Sequence, residues 1–274
     1  MQSHSPVIHF AHANGFPSGT YQKLFTEIER SYPVFAIEKM GHSSRFPVND
    51  NWRELAHEVL DYIAQHVAPD TPVVAVGHSF GAVVSYLAAC IEPQRFCGLI
   101  MLDPPLASGF SRHLFALAKR VGVIDRITPA QLAITRRRRW QRSVDLVDYF
   151  ANKGLFRHMD RDCIADYVAA VIEQSEHEQV LTFDPNVEAQ VFRTIPHNLN
   201  RFSGKLQCPG VIVTGEQTDV CVPFLRNAFI RQNNLKHLTV PGGHMFPLER
   251  PLEIAQLITT LTEELVSHGE RVSA

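Results

Sequence analysis

The chain alternates short apolar runs with longer amphipathic stretches. The runs at residues 7–11, 34–37, 73–76, 99–102, 211–213 and 237–240 predict strands. Residues 52–67 carry Leu55, Val59, Leu60, Ile63 and Val67 on one helical face, with Asn51 as the expected N-cap. Residues 82–90, 224–231 and 252–266 predict further helices. Such strand–helix alternation implies a mainly parallel sheet covered on both faces.

Between Asp103 and Cys208 the pattern changes. No strand is predicted there, and residues 114–121, 128–140, 144–152, 161–174 and 187–195 all read as helices. A helical block between two strands of one sheet is most simply an insertion. It falls on the loop side of the strand ends, where α/β folds carry their sites, and predicts a cap. The expected organisation is an α/β core of residues 1–103 and 208–274 with a cap of residues 104–207.

Composition narrows the picture. A chain of 274 residues can bury a substantial core, and 45% apolar with 20% charged residues is ordinary for a globular protein. A net charge of −2 gives no argument for nucleic acid or an anionic membrane as partner. The five cysteines, Cys90, Cys97, Cys163, Cys208 and Cys221, are odd in number and lack metal-site spacing. They predict reduced thiols in the cytoplasm, with neither a disulfide frame nor a zinc site. The opening residues, Met1 to Pro6, carry no basic segment followed by an apolar run, so no secretory signal is expected. No run approaches the ~20 residues of a membrane span. Oligomeric state is not legible.

The strand at 73–76 ends in Gly77-His78-Ser79-Phe80-Gly81 with a helical run behind it. A buried strand stopping at a glycine-flanked serine before a helix describes the nucleophile elbow of a serine hydrolase. The turn is so tight that the positions two before and two after the serine must be small, hence Gly77 and Gly81. A serine hydroxyl needs a base to take its proton, and the base needs a partner that fixes its tautomer. The expected order along the chain is Ser, then acid, then His. His244, beside Gly242 and Gly243 and after a strand, is the expected base. Asp219, just past the strand at 211–213, is the expected acid. Asp103, which also ends a strand, competes with it, and Glu216 is a lesser candidate. The oxyanion needs preorganised N–H donors. Phe80 N–H is the first, and Asn14 N–H is favoured as the second, with Phe16 as the alternative. His12 reads as a structural loop histidine rather than a second base. Phe16, His78, Met245 and Phe246 are the expected substrate-binding residues.

Together these pieces resemble the α/β-hydrolase superfamily over essentially the whole chain outside the cap. His12-Ala13-Asn14-Gly15-Phe16-Pro17 looks like its oxyanion loop, with Ala13 where the family commonly has Gly. Gly41-His42-Ser43-Ser44 looks like an imperfect version of its glycine turn. Gly77 to Gly81 matches the elbow fully, while Gly215 to Asp219 and Gly243 to Glu249 look like its acid and histidine turns. The resemblance implies about six parallel strands with the N-terminal strands shortened, because the oxyanion strand begins near Val7. The cap then follows the sixth family strand. A serine at position 79 makes haloalkane and epoxide chemistry unexpected, since those relatives carry aspartate there. What remains is hydrolysis of small to medium carboxylic esters or thioesters through an acyl-enzyme, without metal or cofactor. Carbon–carbon bond hydrolysis and peracid formation on the same residues are the alternatives. A non-catalytic ligand-binding protein on the same scaffold is the remote one. The run Arg136, Arg137, Arg138 and Arg139 is expected on a cap helix, where neighbours ~100° apart cannot all face one way. It reads as a solvated face, or as one or two arginines at the cleft mouth holding an anionic group.

Overall fold

The computed structural model describes residues 5–106 and 111–273. Met1 to His4, part of the segment read for a secretory signal, lie outside the described residues. The first half of the core runs β1 (Val7–Ala11), α1 (Gln22–Ile28), β2 (Val34–Phe35), α2 (Arg53–His66), β3 (Val73–His78), α3 (Phe80–Ile91) and β4 (Phe96–Leu102). An inserted segment follows with α4 (Ser111–Arg120), α5 (Ala130–Thr135), β5 (Arg139–Gln141), α6 (Leu146–Ala151), α7 (Arg161–Val171), β6 (Ile172–Gln174), β7 (Glu178–Leu181) and α8 (Pro185–Arg193). The core resumes with β8 (Gly210–Gly215), α9 (Pro223–Asn233), β9 (Lys236–Val240), α10 (Phe246–Glu249) and α11 (Pro251–Ser273).

The main sheet has six strands in the order β2-β1-β3-β4-β8-β9, every neighbouring pair parallel. Successive side chains of a strand point to opposite faces, and both faces here are covered. Ile8, Phe10, Val74, Val76, Ile100, Leu102, Val211 and Val213 pack with Leu24, Ile28, Ile258 and Leu261 of α1 and α11. Val7, Val73, Ala75, Leu99, Met101 and Ile212 pack on the other face with α2, α3 and α9, including Leu55, Val59, Leu87 and Phe229. This double burial is why the strands read as unbroken apolar runs.

The insertion departs from the sequence reading. It holds a three-stranded antiparallel sheet, β5-β7-β6, where only helices are expected. The helix expected at 128–140 stops at Thr135, and Arg139 begins β5. The arginine run therefore lies in extended chain and not on a helix face. Asn51 does not cap α2 either. It sits at φ +62 within the preceding turn, and Asn49 Oδ1 accepts the Glu54 N–H instead.

The insertion shares its apolar interior with the core. Trp140, Phe150, Phe156, Tyr167 and Phe183 belong to the same cluster as Phe10, Phe16 and Tyr21. Trp52 donates its indole N–H to Val191 O at 3.0 Å, and Lys23 reaches Asp160 and Asp162 at 2.8 Å each. All five cysteines are free thiols. No helix among the described residues is long and apolar enough to cross a membrane.

Three core histidines are fully buried. Burial pushes His9 and His78 down to about 3 and His12 to about 4, so each is neutral in the folded state. Burial also pushes the Glu58 carboxyl up to about 7. A lowered histidine contributes stability above its unfolded pKa near 6.5, lost as pH falls towards the folded value. A raised carboxyl works oppositely, weakening the fold as pH rises through about 7. Between pH 4.5 and 6.5 the three histidines outweigh the one glutamate, so these groups make stability fall with acidification. His9 has neither ring nitrogen hydrogen-bonded. His9→Leu should therefore stabilise the protein by ~1 kcal/mol at pH 7. It should also flatten the acid loss by ~1.4 kcal/mol per pH unit, read by urea unfolding at pH 5 and pH 7.

Candidate active site

At the end of β3 the chain turns sharply into α3. Ser79 sits at the turn with φ +54 and ψ −120, a conformation rarely held by a residue with a side chain. Two glycines make room for it. A Cβ on Gly77 would lie 2.4 Å from Gly81 O, and one on Gly81 would lie 2.1 Å from Ala11 O. Ser79 N–H donates to Leu102 O at 2.8 Å, tying the turn to the end of β4.

The residue after Leu102 is Asp103, wholly buried and also at positive φ, +46. Its N–H donates to Val213 O at 2.8 Å, so the end of β8 fixes it. His244 comes from the loop after β9. Gly215 lets that loop close over the end of β8, because a Cβ there would lie 2.4 Å from Gly243 O. His244 Nε2 is 3.0 Å from Ser79 Oγ, and His244 Nδ1 is 2.6 Å from Asp103 Oδ2. Thr218 Oγ1 donates to the same Asp103 oxygen at 2.5 Å. Asp103 as carboxylate accepts from Nδ1–H, which leaves Nε2 to accept from the serine hydroxyl.

The structure brings Asp103, and not the expected Asp219, against His244. Asp219 is exposed, and both ring nitrogens of His244 are already engaged by Ser79 and Asp103. The loop that carries Asp219 contributes the Thr218 hydroxyl instead. Glu216 is exposed as well, and its backbone N–H pairs with Val240 O.

Phe80 is the first residue of α3, where an N–H has no acceptor within the helix. The close approach of Gly81 to the carbonyls of Ala11 and His12 brings the loop after β1 against this helix end. Within that loop Phe16 N–H donates to Ala13 O at 3.0 Å. His12 is structural: Nδ1–H donates to Ala13 O and Nε2 accepts from Met40 N–H, both at 2.8 Å.

The expected substrate-binding residues are placed differently. His78 is 0% exposed, with Nδ1 2.7 Å from Tyr21 Oη and Nε2 3.0 Å from His244 O. Both nitrogens are used internally, so it cannot read a substrate. Met245 and Phe246 belong to the core cluster beneath the histidine loop, where the turn into α10 points them inward. Phe16 is buried among Phe156 and Tyr167 of the insertion. Sequence reasoning missed Tyr21, whose hydroxyl accepts from Ala13 N–H at 3.2 Å and donates to His78. It also missed Thr218 and the pairing of Arg136 with Glu188 at 2.6 Å. Nothing local in the sequence marks these partners, which are far apart along the chain. Among the described residues no group of three or more His, Cys, Asp or Glu side chains could hold a metal ion.

This arrangement can deprotonate a hydroxyl at the N-terminal end of a helix, which is chemistry suited to acyl transfer. Known proteins agree on the scaffold. The chain is 31% identical to the monoglyceride lipase of Rattus norvegicus over 105 residues, 36% of this chain and 34% of that relative. The match thus spans about a third of that relative's length. Among solved structures, the peroxisomal alpha-beta-hydrolase Lpx1 of Saccharomyces cerevisiae superposes with a TM-score of 0.76. Its identity is 15%, over 97% of this chain and 79% of that one. The thioesterase domain from the curacin biosynthetic pathway gives 0.72 at 17% identity, over 93% and 91%. The model of the alpha/beta hydrolase family matches residues 10–257, and the chain belongs to that family.

Proposed function

We propose that this protein hydrolyses carboxylic esters through an acyl-enzyme on Ser79. The observation that carries the reading is the hydrogen-bonded line from Ser79 Oγ through His244 to the buried Asp103. His244 Nε2 takes the hydroxyl proton as Oγ attacks the ester carbonyl carbon. Asp103 holds the ring in the reactive tautomer and balances its positive charge, and Thr218 steadies the carboxylate. The N–H groups of Phe80 and Asn14 receive the oxyanion. The tetrahedral adduct collapses as His244 gives its proton to the leaving alkoxide. Water then attacks the acyl-enzyme with His244 as base again, releasing the carboxylic acid and restoring Ser79. Residues 104–207 serve as the cap over this centre. The likeness to the rat monoglyceride lipase supports an ester as substrate.

Wild type mixed with p-nitrophenyl esters of increasing chain length should release a stoichiometric burst of p-nitrophenol. Ser79→Ala should abolish it. A folded wild type that turns over no member of the panel would overturn the ester reading. The acid assignment has its own test. Asp103→Asn should lower kcat by ~10⁴, because the amide favours the wrong imidazole tautomer. Asp219→Asn should leave kcat within a few-fold of wild type. The reverse result would restore Asp219 as the acid.

Tyr21 and His78 position this machinery without touching substrate. Ala13 N–H donates to Tyr21 Oη, Tyr21 O–H to His78 Nδ1, and His78 Nε2–H to His244 O. One buried chain thereby links the oxyanion loop to the histidine loop. Tyr21→Phe should lower kcat by ~10- to 100-fold with little change in KM, since small misplacements are costly at this step. Steady-state kinetics beside a circular-dichroism melt would separate this from a loss of stability alone.

A further inference from the structure

Three consecutive residues of the oxyanion loop are held by the cap. Asn14 Nδ2 donates to Glu188 O at 2.9 Å. Gly15 turns at φ +77, and a Cβ there would lie 2.9 Å from Glu188 Oε1, so the glutamate carboxylate lies flat against this residue. The Phe16 ring packs at a tilt, 5.3 Å from the ring of Tyr167 and 5.4 Å from that of Phe156. One side chain ties these contacts together. Arg136 Nη1 donates to Glu188 Oε2 and Nη2 donates to Tyr167 Oη, both at 2.6 Å. Arg136 and Glu188 are only 20% and 13% exposed.

The other arginines of the run do different work. Arg137 lies over the Trp140 and Tyr149 rings, and exposed Arg139 pairs with Glu178. Arg136 alone turns inward, because α5 ends at Thr135 and the chain becomes extended at φ −62, ψ +146. A free guanidinium in the cleft would be suited to an anionic substrate group. This one already has a carboxylate partner and a phenol acceptor. Its geometry suits a clamp better than an anion receptor.

On the reading that Asn14 N–H is an oxyanion donor, we infer that Arg136 and Glu188 are positioning residues through which the cap sets the oxyanion hole. Glu188 grips Asn14 by its backbone and Gly15 by its carboxylate. A bare carboxylate there would oppose an oxyanion forming at the neighbouring residue. Arg136 cancels that charge and anchors the carboxylate to Tyr167, which in turn packs on Phe16. The cap thereby fixes one of the two donors, so cap geometry enters the chemical step and not only substrate access.

The test compares Arg136→Met, Glu188→Gln and the double variant on neutral and anionic p-nitrophenyl esters. Arg136→Met strands a half-buried carboxylate beside the hole, and kcat should fall by ~10²-fold on both ester types with KM nearly unchanged. Glu188→Gln keeps the backbone contact and an acceptor, so its loss should be ~10-fold. The double variant should match Glu188→Gln, because the stranded charge is gone. A rise in KM confined to anionic esters, or a double variant no better than Arg136→Met, would overturn the inference and make Arg136 a substrate anchor. Should Arg136→Met fail to fold, Glu188→Gln still decides, since a wild-type kcat there overturns the clamp. Hydrogen exchange of the peptide covering residues 13–16 should accelerate in either folded variant, a readout that needs no turnover. Unchanged exchange with an intact Ser79-dependent burst would sink the clamp alone. Absence of that burst would sink the ester reading and leave the exchange result to judge the clamp.

Discussion

The passage of Gly81 across the end of β1 is the contact on which the site depends. With no side chain at that position, the first turn of α3 reaches the carbonyls of Ala11 and His12. Any Cβ would push the helix outward and separate Phe80 N–H from the loop at residues 13–16. The same closeness forces the elbow at Ser79 into positive φ, a strain of ~1–3 kcal/mol that persists only where its surroundings over-determine it. Here they do. Ser79 N–H is held by Leu102 O, β3 is flanked on both sides by parallel partners, and His78 is pinned between Tyr21 and the histidine loop. The strained serine is therefore a product of sheet packing.

What could be read from the chain follows from the same physics. The central strands β3, β4 and β8 were legible because parallel strands covered on both faces are largely apolar, whereas the edge strand β9, Lys236-His237-Leu238-Thr239-Val240, was legible from its β-branched residues. The strands of the insertion were not. Arg139 and Gln141 flank Trp140 as exposed polar residues, and Glu173 and Gln174 are exposed in β6. Their identity as strands comes from pairing with β7, a tertiary fact. Ser79 and His244 were legible because tight turns demand glycines beside them. The carboxylate that meets His244 was not, since both Asp103 and Asp219 end a strand and both precede His244. Met245 and Phe246 look like pocket residues by adjacency alone. The turn into α10 decides their direction, and it sends them inward.

Three neutral histidines, His9, His12 and His78, are among the buried polar side chains of the core. His12 joins the oxyanion loop to the backbone at Met40, and His78 joins the elbow to the loop of His244. Each uses one nitrogen as donor and the other as acceptor, which only the neutral ring can do. Burial that keeps the rings uncharged is thus what makes them useful as crosslinks between loops. A charged His12 ring would point its Nε2–H at the Met40 N–H donor. His9 has the same burial without hydrogen-bond partners, and its ring packs edge-on 5.8 Å from that of Tyr62.

The choice of Asp103 over Asp219 has a structural consequence for the insertion. Asp103 ends β4, the strand next to β3, whereas Asp219 follows β8, one strand further from the nucleophile. The neighbouring position gives the shorter reach to a histidine that already touches Ser79. Asp103 is also the last residue before the chain leaves for the insertion at Pro104. Its backbone is bent to φ +46 and locked by Val213 O. The carboxylate that orients His244 is therefore the stem of the inserted segment. The far side of that segment grips Asn14 and Gly15 through Glu188. An insertion that begins after Asp103 and leans on Asn14 and Gly15 cannot shift as a separate lid without disturbing one of these contacts. Its interior, continuous with the core through Phe16, Tyr21 and Tyr167, is what such a coupling requires.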